Sequence, residues 1–87
     1  MKIKRGEKDM SLIKEILSND DYQILATVEI NIAIEKAESS KGERRETNIK
    51  YLEHLWTEIV NYDYEDEVQE DFMMNLAGHL YEKMQQM

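Results

Sequence analysis

The chain has 87 residues, a net charge of −8, and neither Cys nor Pro. Its length fits one small domain, and the absence of Cys excludes disulfides and thiolate metal sites. No apolar run approaches the roughly 18 residues of a membrane-spanning helix, and the N-terminal residues lack the apolar core of a signal peptide. We therefore expect a cytoplasmic protein that makes no membrane contact.

The negative charge is concentrated in one half of the chain. Residues 1–50 hold ten acids and ten bases, whereas residues 51–87 hold nine acids and a single base, Lys83. An acidic half repels DNA, RNA and anionic membranes, and it attracts basic surfaces. The asymmetry therefore predicts a basic partner and argues against direct nucleic-acid binding.

The N-terminal region divides into a charged segment and a short helix. Residues 1–8 are basic, and we interpret them as a flexible arm. Residues 9–87 then form one small domain with an acidic C-terminal half. Apolar residues recur at helical spacing over residues 9–18, which predicts a helix with Asp9 or Ser11 as its N-cap.

The stretch from Tyr22 to Ile34 is apolar at every second position, with mostly polar residues between. Such alternation is typical of a strand with one buried face, and the β-branched content agrees with a strand. The alternative is a helix over residues 22–38, opened by Asn19 or Asp20. On that helix the same residues would form two apolar faces.

A turn signal follows at Ser39-Ser-Lys-Gly42. Residues 43–47 could then form a second, charged strand that closes a β-hairpin. A lone hairpin is barely stable in water, so it would need helices on its apolar face. It could also pair edge to edge with a second copy, and this pairing predicts a homodimer.

Two further helices are predicted. Asn48 is placed as the N-cap of a helix over residues 49–61, because one apolar stripe runs through Ile49, Leu52, Leu55, Trp56, Ile59 and Val60. A linker leads to a last helix over residues 65–85. The predicted fold class is α+β, a small α-β-β-α-α domain with the hairpin packed on helices. The alternative is an all-α four-helix bundle.

Nothing in the sequence points to catalysis or metal binding. His54 and His79 fall on different helices, without the spacing of a helical metal site. The acidic run near the C-terminus lacks the central Gly and the ligand order of a calcium loop. We therefore expect no enzyme activity, no metal and no cofactor.

From Asp63 to Asp71 the chain places six acids in nine residues. Carboxylates on a rigid helix can imitate phosphates and occupy the Lys and Arg that grip DNA, and tyrosines add contact area. The plain alternative is a solvated helix face. The predicted partner-binding residues are Asp63, Tyr64, Glu65, Asp66, Glu67, Glu70 and Asp71.

The aromatic-bearing helix, followed by Tyr62-Asp-Tyr-Glu-Asp-Glu67 and an acidic helix, resembles small phage-encoded inhibitors that act as DNA mimics, some anti-CRISPR proteins among them. The expected order of helix, strands and two helices is similar too. The resemblance implies an inhibitor for host takeover, which would bind the Arg-lined DNA groove of a host DNA-binding protein in the host cytoplasm. The alternative function is a helical regulatory or assembly module that binds a partner through apolar helix faces.

Overall fold

The computed structural model describes residues 12–87, and 84% of them are helical. Residues 12–17 form the helical segment α1. The longer helices are α2 (Tyr22–Ser39), α3 (Gly42–Asn61) and α4 (Glu67–Gln86). No strand occurs between residues 12 and 87, so this part of the chain has an all-α fold. The predicted arm, residues 1–8, lies outside the described residues, as do Asp9 and Ser11.

The three long helices form an up-down-up bundle. Residues 40–41 and 62–66 connect them, and such short connections join antiparallel neighbours. Trp56 of α3 contacts Tyr81 of α4 at 5.9 Å between ring centroids. The N-terminal parts of α2 and α4 lie side by side, since the ring centroids of Tyr22 and Phe72 are 5.8 Å apart. The α1–α2 turn and the α3–α4 linker therefore share one end of the bundle.

The predicted α+β fold with its β-hairpin is wrong, because the alternating stretch belongs to α2. Two successive residues advance about 200° around an α-helix, so every-second-residue spacing gives two rows of side chains, on opposite faces. Ala26, Ile30 and Ile34 form the buried row. Ile24, Val28 and Ile32 form the row that faces solvent. The helical alternative, with its two apolar faces, is the one that the structure shows.

The second predicted strand is also wrong, because residues 43–47 belong to the start of α3. Asn48 lies inside α3 and is not an N-cap. Its Nδ2 donates to the carbonyl oxygen of Lys36 (3.3 Å) and to Ser40 Oγ (3.1 Å), which ties the end of α2 to α3. Gly42 begins α3 with φ +62°, in the left-handed region that favours glycine. Without strands, edge-to-edge pairing gives no reason for a homodimer.

The core lies between α2, α3 and α4, with α1 adding Ile13 and Ile16 at one end. The apolar stripe predicted on α3 is confirmed, because Leu52, Leu55 and Ile59 are buried. Trp56 packs against this core and stays partly exposed. Gln69 Nε2 of α4 donates to the carbonyl oxygen of Leu17 (3.1 Å), which holds α1 against the bundle. This hydrogen bond holds α1 in place at the end of the bundle where the α3–α4 linker, residues 62–66, lies.

Candidate functional site

The candidate site is the end of the bundle that carries the α1–α2 turn and the α3–α4 linker, here called the acidic end. It gathers eight exposed carboxylates. They come from two loops and from the start of α4. They are Asp20, Asp21, Asp63, Glu65, Asp66, Glu67, Glu70 and Asp71. The seven residues predicted to bind a partner all lie at this end.

Two of the predicted partner-binding residues also have structural roles. Asp66 is the N-cap of α4, and its Oδ1 accepts hydrogen bonds from the backbone N–H groups of Val68 (2.8 Å) and Gln69 (3.4 Å). Tyr64 is partly buried, and its hydroxyl donates to the carbonyl oxygen of Ile59 (2.8 Å). Burial, Tyr62 and Glu70 together raise the pKa of Tyr64 to about 12. These two residues hold the linker in place.

The fold adds two carboxylates that were not predicted to belong to the site. Asp20 and Asp21 are more than 40 residues before the linker in the chain, yet the parallel placement of α2 and α4 brings them to the same end. They were not predicted to belong to the site, because the hairpin prediction places them in a turn between the first helix and the strand that begins at Tyr22. If residues 22–38 are interpreted as a helix, these two consecutive acids lie just before its N-terminus, where the helix dipole favours negative charge. That interpretation would have placed them at one end of the bundle.

The opposite end of the bundle has balanced charges. It includes the α2–α3 turn and the last turn of α4. Lys36, Lys41, Arg44, Arg45 and Lys83 lie there with Glu35, Glu38, Glu43, Glu46 and Glu82. Within residues 12–87, the only contact at salt-bridge distance joins His54 Nε2 and a carboxylate oxygen of Glu58 on α3 (3.1 Å). No Lys or Arg in this range is paired with a carboxylate of the acidic end.

A cleft of about 570 Å³ opens beside the acidic end, between α1, the last turns of α3 and the linker. Its walls combine apolar, polar and charged groups, with three acids and one base: Ile13, Lys14, Thr57, Glu58, Asn61, Tyr62, Asp63 and Glu65. Lys and Arg side chains bury their aliphatic stems on apolar surface and keep the charged head among polar groups. The cleft therefore has the chemistry to accept a basic side chain.

A second exposed surface lies on α2. Four apolar side chains cover its solvent-facing side, and we call them the α2 strip: Ile24, Leu25, Val28 and Ile32, exposed by 64%, 41%, 48% and 47%. Tyr51 of α3, 41% exposed, lies beside Ile32 across a shallow groove. Burial, Glu29 and Glu58 raise the pKa of Tyr51, so its hydroxyl is neutral at ordinary pH. The strip and Tyr51 together form one largely apolar surface, with Glu29 and Lys36 at the groove between Ile32 and Tyr51.

Among the residues that the structure describes, no three His, Asp or Glu side chains are grouped so as to hold a metal ion. None of the helices between residues 12 and 87 is both long and apolar enough to cross a membrane.

No protein-family model, curated protein or solved structure matches this chain. The resemblance to DNA-mimicking inhibitors stays a prediction.

Proposed function

We propose that this chain is a protein-binding inhibitor, acting in the cytoplasm, whose acidic end occupies the cationic site of a nucleic-acid-binding protein. The observation that carries the proposal is the gathering of eight exposed carboxylates at one end of the bundle. They come from separate parts of the chain, and the charges at the opposite end are balanced. This proposal uses no catalysis, no metal and no direct contact with nucleic acid.

Charge chemistry supports this role. DNA-binding surfaces present Lys and Arg to phosphates, and these contacts supply much of their affinity. A carboxylate accepts the same charge-assisted hydrogen bonds, and Arg can bind it through two parallel bonds. Since no Lys or Arg within residues 12–87 is paired with these acids, a partner would break no internal ion pair there.

The predicted site residues have three different roles in the proposed binding. Glu67, Glu70 and Asp71 share one exposed side of α4, where the helix holds their spacing. Asp63 and Glu65 line the cleft and would receive an inserted Lys or Arg. Tyr64 and Asp66 would act by holding the linker. A mimic of this kind agrees with the resemblance to phage-encoded inhibitors, which implies a role in host takeover.

The test compares two charge-reversed variants of equal net charge. Glu67→Lys with Glu70→Lys changes the acidic end. Glu43→Lys with Glu46→Lys is the matched control, because both pairs are exposed, three residues apart and near the start of a helix. Each immobilised protein is exposed to cell lysate, with and without duplex DNA as competitor, at low and high salt.

The proposal expects capture of a basic DNA-binding protein that DNA and salt both release, because surface charge pairs are screened over about 8 Å at physiological salt. The acidic-end variant should lose this capture and the control should keep it. Capture that is indifferent to DNA, or equally affected by both variants, would rule out mimicry by the acidic end.

A second candidate function, a helical assembly module that binds through an apolar helix face, is supported by a different observation. The α2 strip places four apolar side chains on the solvent side of a helix that is also apolar on its core side. A helix that is hydrophobic all round is normally buried all round. The strip therefore favours a partner that covers it.

A further inference from the structure

The α2 strip differs from the outer faces of the other helices. The positions of α2 that lie opposite its buried Ala26, Ile30 and Ala37 are where a surface helix normally carries charged residues. Here those positions carry Ile24, Val28 and Ile32 in an i, i+4, i+8 row. An apolar face of this kind on a small domain marks an interaction site.

We infer that the α2 strip is a homodimer interface, in which α2 of one copy packs antiparallel against α2 of a second copy about a two-fold axis at Val28. This inference rests on the second candidate function, assembly through an apolar helix face, and it names the partner. It replaces edge-to-edge strand pairing with helix packing as the physical basis of a dimer.

Three of the four residues of the strip form a self-complementary row. The row Ile24-Val28-Ile32 reads the same in both directions, so a two-fold axis at Val28 places Ile24 of each copy opposite Ile32 of the other. A two-fold interface requires this property, because one patch must fit its own copy. Rows spaced by four residues are also the ridges that interlock when two helices pack.

The exposed area is large enough for the apolar centre of a small dimer. From their exposed fractions, the strip and Tyr51 offer on the order of 450 Å² on each copy, within the range of patches that are often functional. A standard interface buries about 800 Å² per partner. Polar neighbours along α2 and the edge of α3 would supply the remainder as a rim.

The charges that flank the strip are of mixed sign, so they favour neither a strongly acidic nor a strongly basic partner. The strip has no charged member, but Glu29 lies beside it at the groove with Tyr51. Asp21 lies one turn before the strip, and Glu35 and Lys36 lie one turn after it. In the antiparallel pair, Asp21 of one copy approaches both Glu35 and Lys36 of the other, so the net interaction at each end is small. Dimer affinity should therefore change little with salt, in contrast to binding at the acidic end.

Sedimentation of three proteins tests the interface. The wild type should sediment as a dimer, with twice the 10.4 kDa mass of the chain. Val28→Glu should raise the dimer dissociation constant at least tenfold, because it buries two like charges at the two-fold axis. Val68→Glu is the matched control, since Val68 is also an exposed valine on a helix (65% exposed), and it should stay dimeric.

The absence of Cys allows a second, independent test. Two packed helices bring facing Cα atoms to about 4–6 Å, which is within reach of a disulfide. Val28→Cys should therefore form a covalent dimer on mild oxidation, whereas Val68→Cys should not. This readout does not depend on disrupting the interface, so a folding defect in Val28→Glu would not leave the inference untested.

Three results would overturn the homodimer. They are a monomeric wild type at high protein concentration, a dimer that Val28→Glu leaves intact, or cross-linking through position 68 in preference to position 28. If the wild type is monomeric, the same two glutamate variants can test whether the strip binds a different protein. None of these results bears on the acidic end, because its test reads capture of a partner protein and not self-association.

Discussion

The Tyr64 hydroxyl donates a hydrogen bond of 2.8 Å to the carbonyl oxygen of Ile59. Ile59 lies in the last turn of α3, where backbone carbonyls have no helical partner. Tyr64 supplies that partner from the linker, and its ring lies 4.9 Å from that of Tyr62. The bond therefore sets how the acidic linker leaves α3.

Replacing Tyr64 by Phe should lower the free energy of unfolding by about 1 kcal/mol, because the carbonyl of Ile59 loses its donor while the ring remains. Urea unfolding measures the change. Tyr81→Phe is the control, since Tyr81 is exposed, and its effect should stay within about 0.5 kcal/mol. Equal losses in the two variants would contradict a structural role for the Tyr64 bond.

Stability should fall at alkaline pH in a defined window. Burial, Tyr62 and Glu70 raise the pKa of Tyr64 from 10.0 to about 12, so the unfolded chain loses this proton first. The stabilisation is fully present below pH 10 and is lost as pH rises from 10 to 12. Urea midpoints measured across this window should fall less steeply in Tyr64→Phe than in the wild type. Some decline should persist, because burial and Glu29 also raise the pKa of Tyr51.

Removing the N-cap of α4 should cost about 1 kcal/mol. Asp66 accepts bonds from the backbone N–H groups of Val68 and Gln69, and Asp66→Ala leaves both donors without this acceptor. Asp63→Ala is matched in charge and exposure and should change the unfolding free energy little. If the two variants prove equally stable, capping by Asp66 is not a source of stability.

A large-to-small change in the core should destabilise the domain strongly. Leu52 is fully buried (0% exposed), and Leu52→Ala should cost about 2–5 kcal/mol. That is a large part of the stability of a small domain. Val68→Ala, at an exposed position, should cost less than about 0.5 kcal/mol. Thermal unfolding followed by circular dichroism measures both variants, and a small effect at Leu52 would contradict the packing of α3.

The parts of the fold that the sequence predicted are those with one apolar stripe. Helix α3 carries a single stripe through Leu52, Leu55 and Ile59, and helical periodicity identified it. The end of the linker was predicted nearly as well, because the helix predicted from residue 65 begins at Glu67. The start of α3 was missed because residues 43–47 are charged and carry no periodic signal.

The hairpin prediction failed because α2 is apolar on two faces. Alternation by two residues describes a half-buried strand, and it describes equally a helix with rows on opposite sides. Local pattern cannot separate the two, and packing against α3 and α4 decides between them. Because the stretch was interpreted as a strand, the position of Asp20 and Asp21 at the acidic end was not predicted. The exposed row from Ile24 to Ile32 was not predicted for the same reason.

The uneven charge of the two ends gives the bundle an electric dipole moment along its long helices. On a positively charged chromatography resin the molecule should therefore adsorb in a preferred orientation, carboxylate-rich end first. Reversing Glu67 and Glu70 should then advance elution more than reversing Glu43 and Glu46, although both double variants have the same net charge. Retention on such a resin depends on where the charges sit as well as on how many there are.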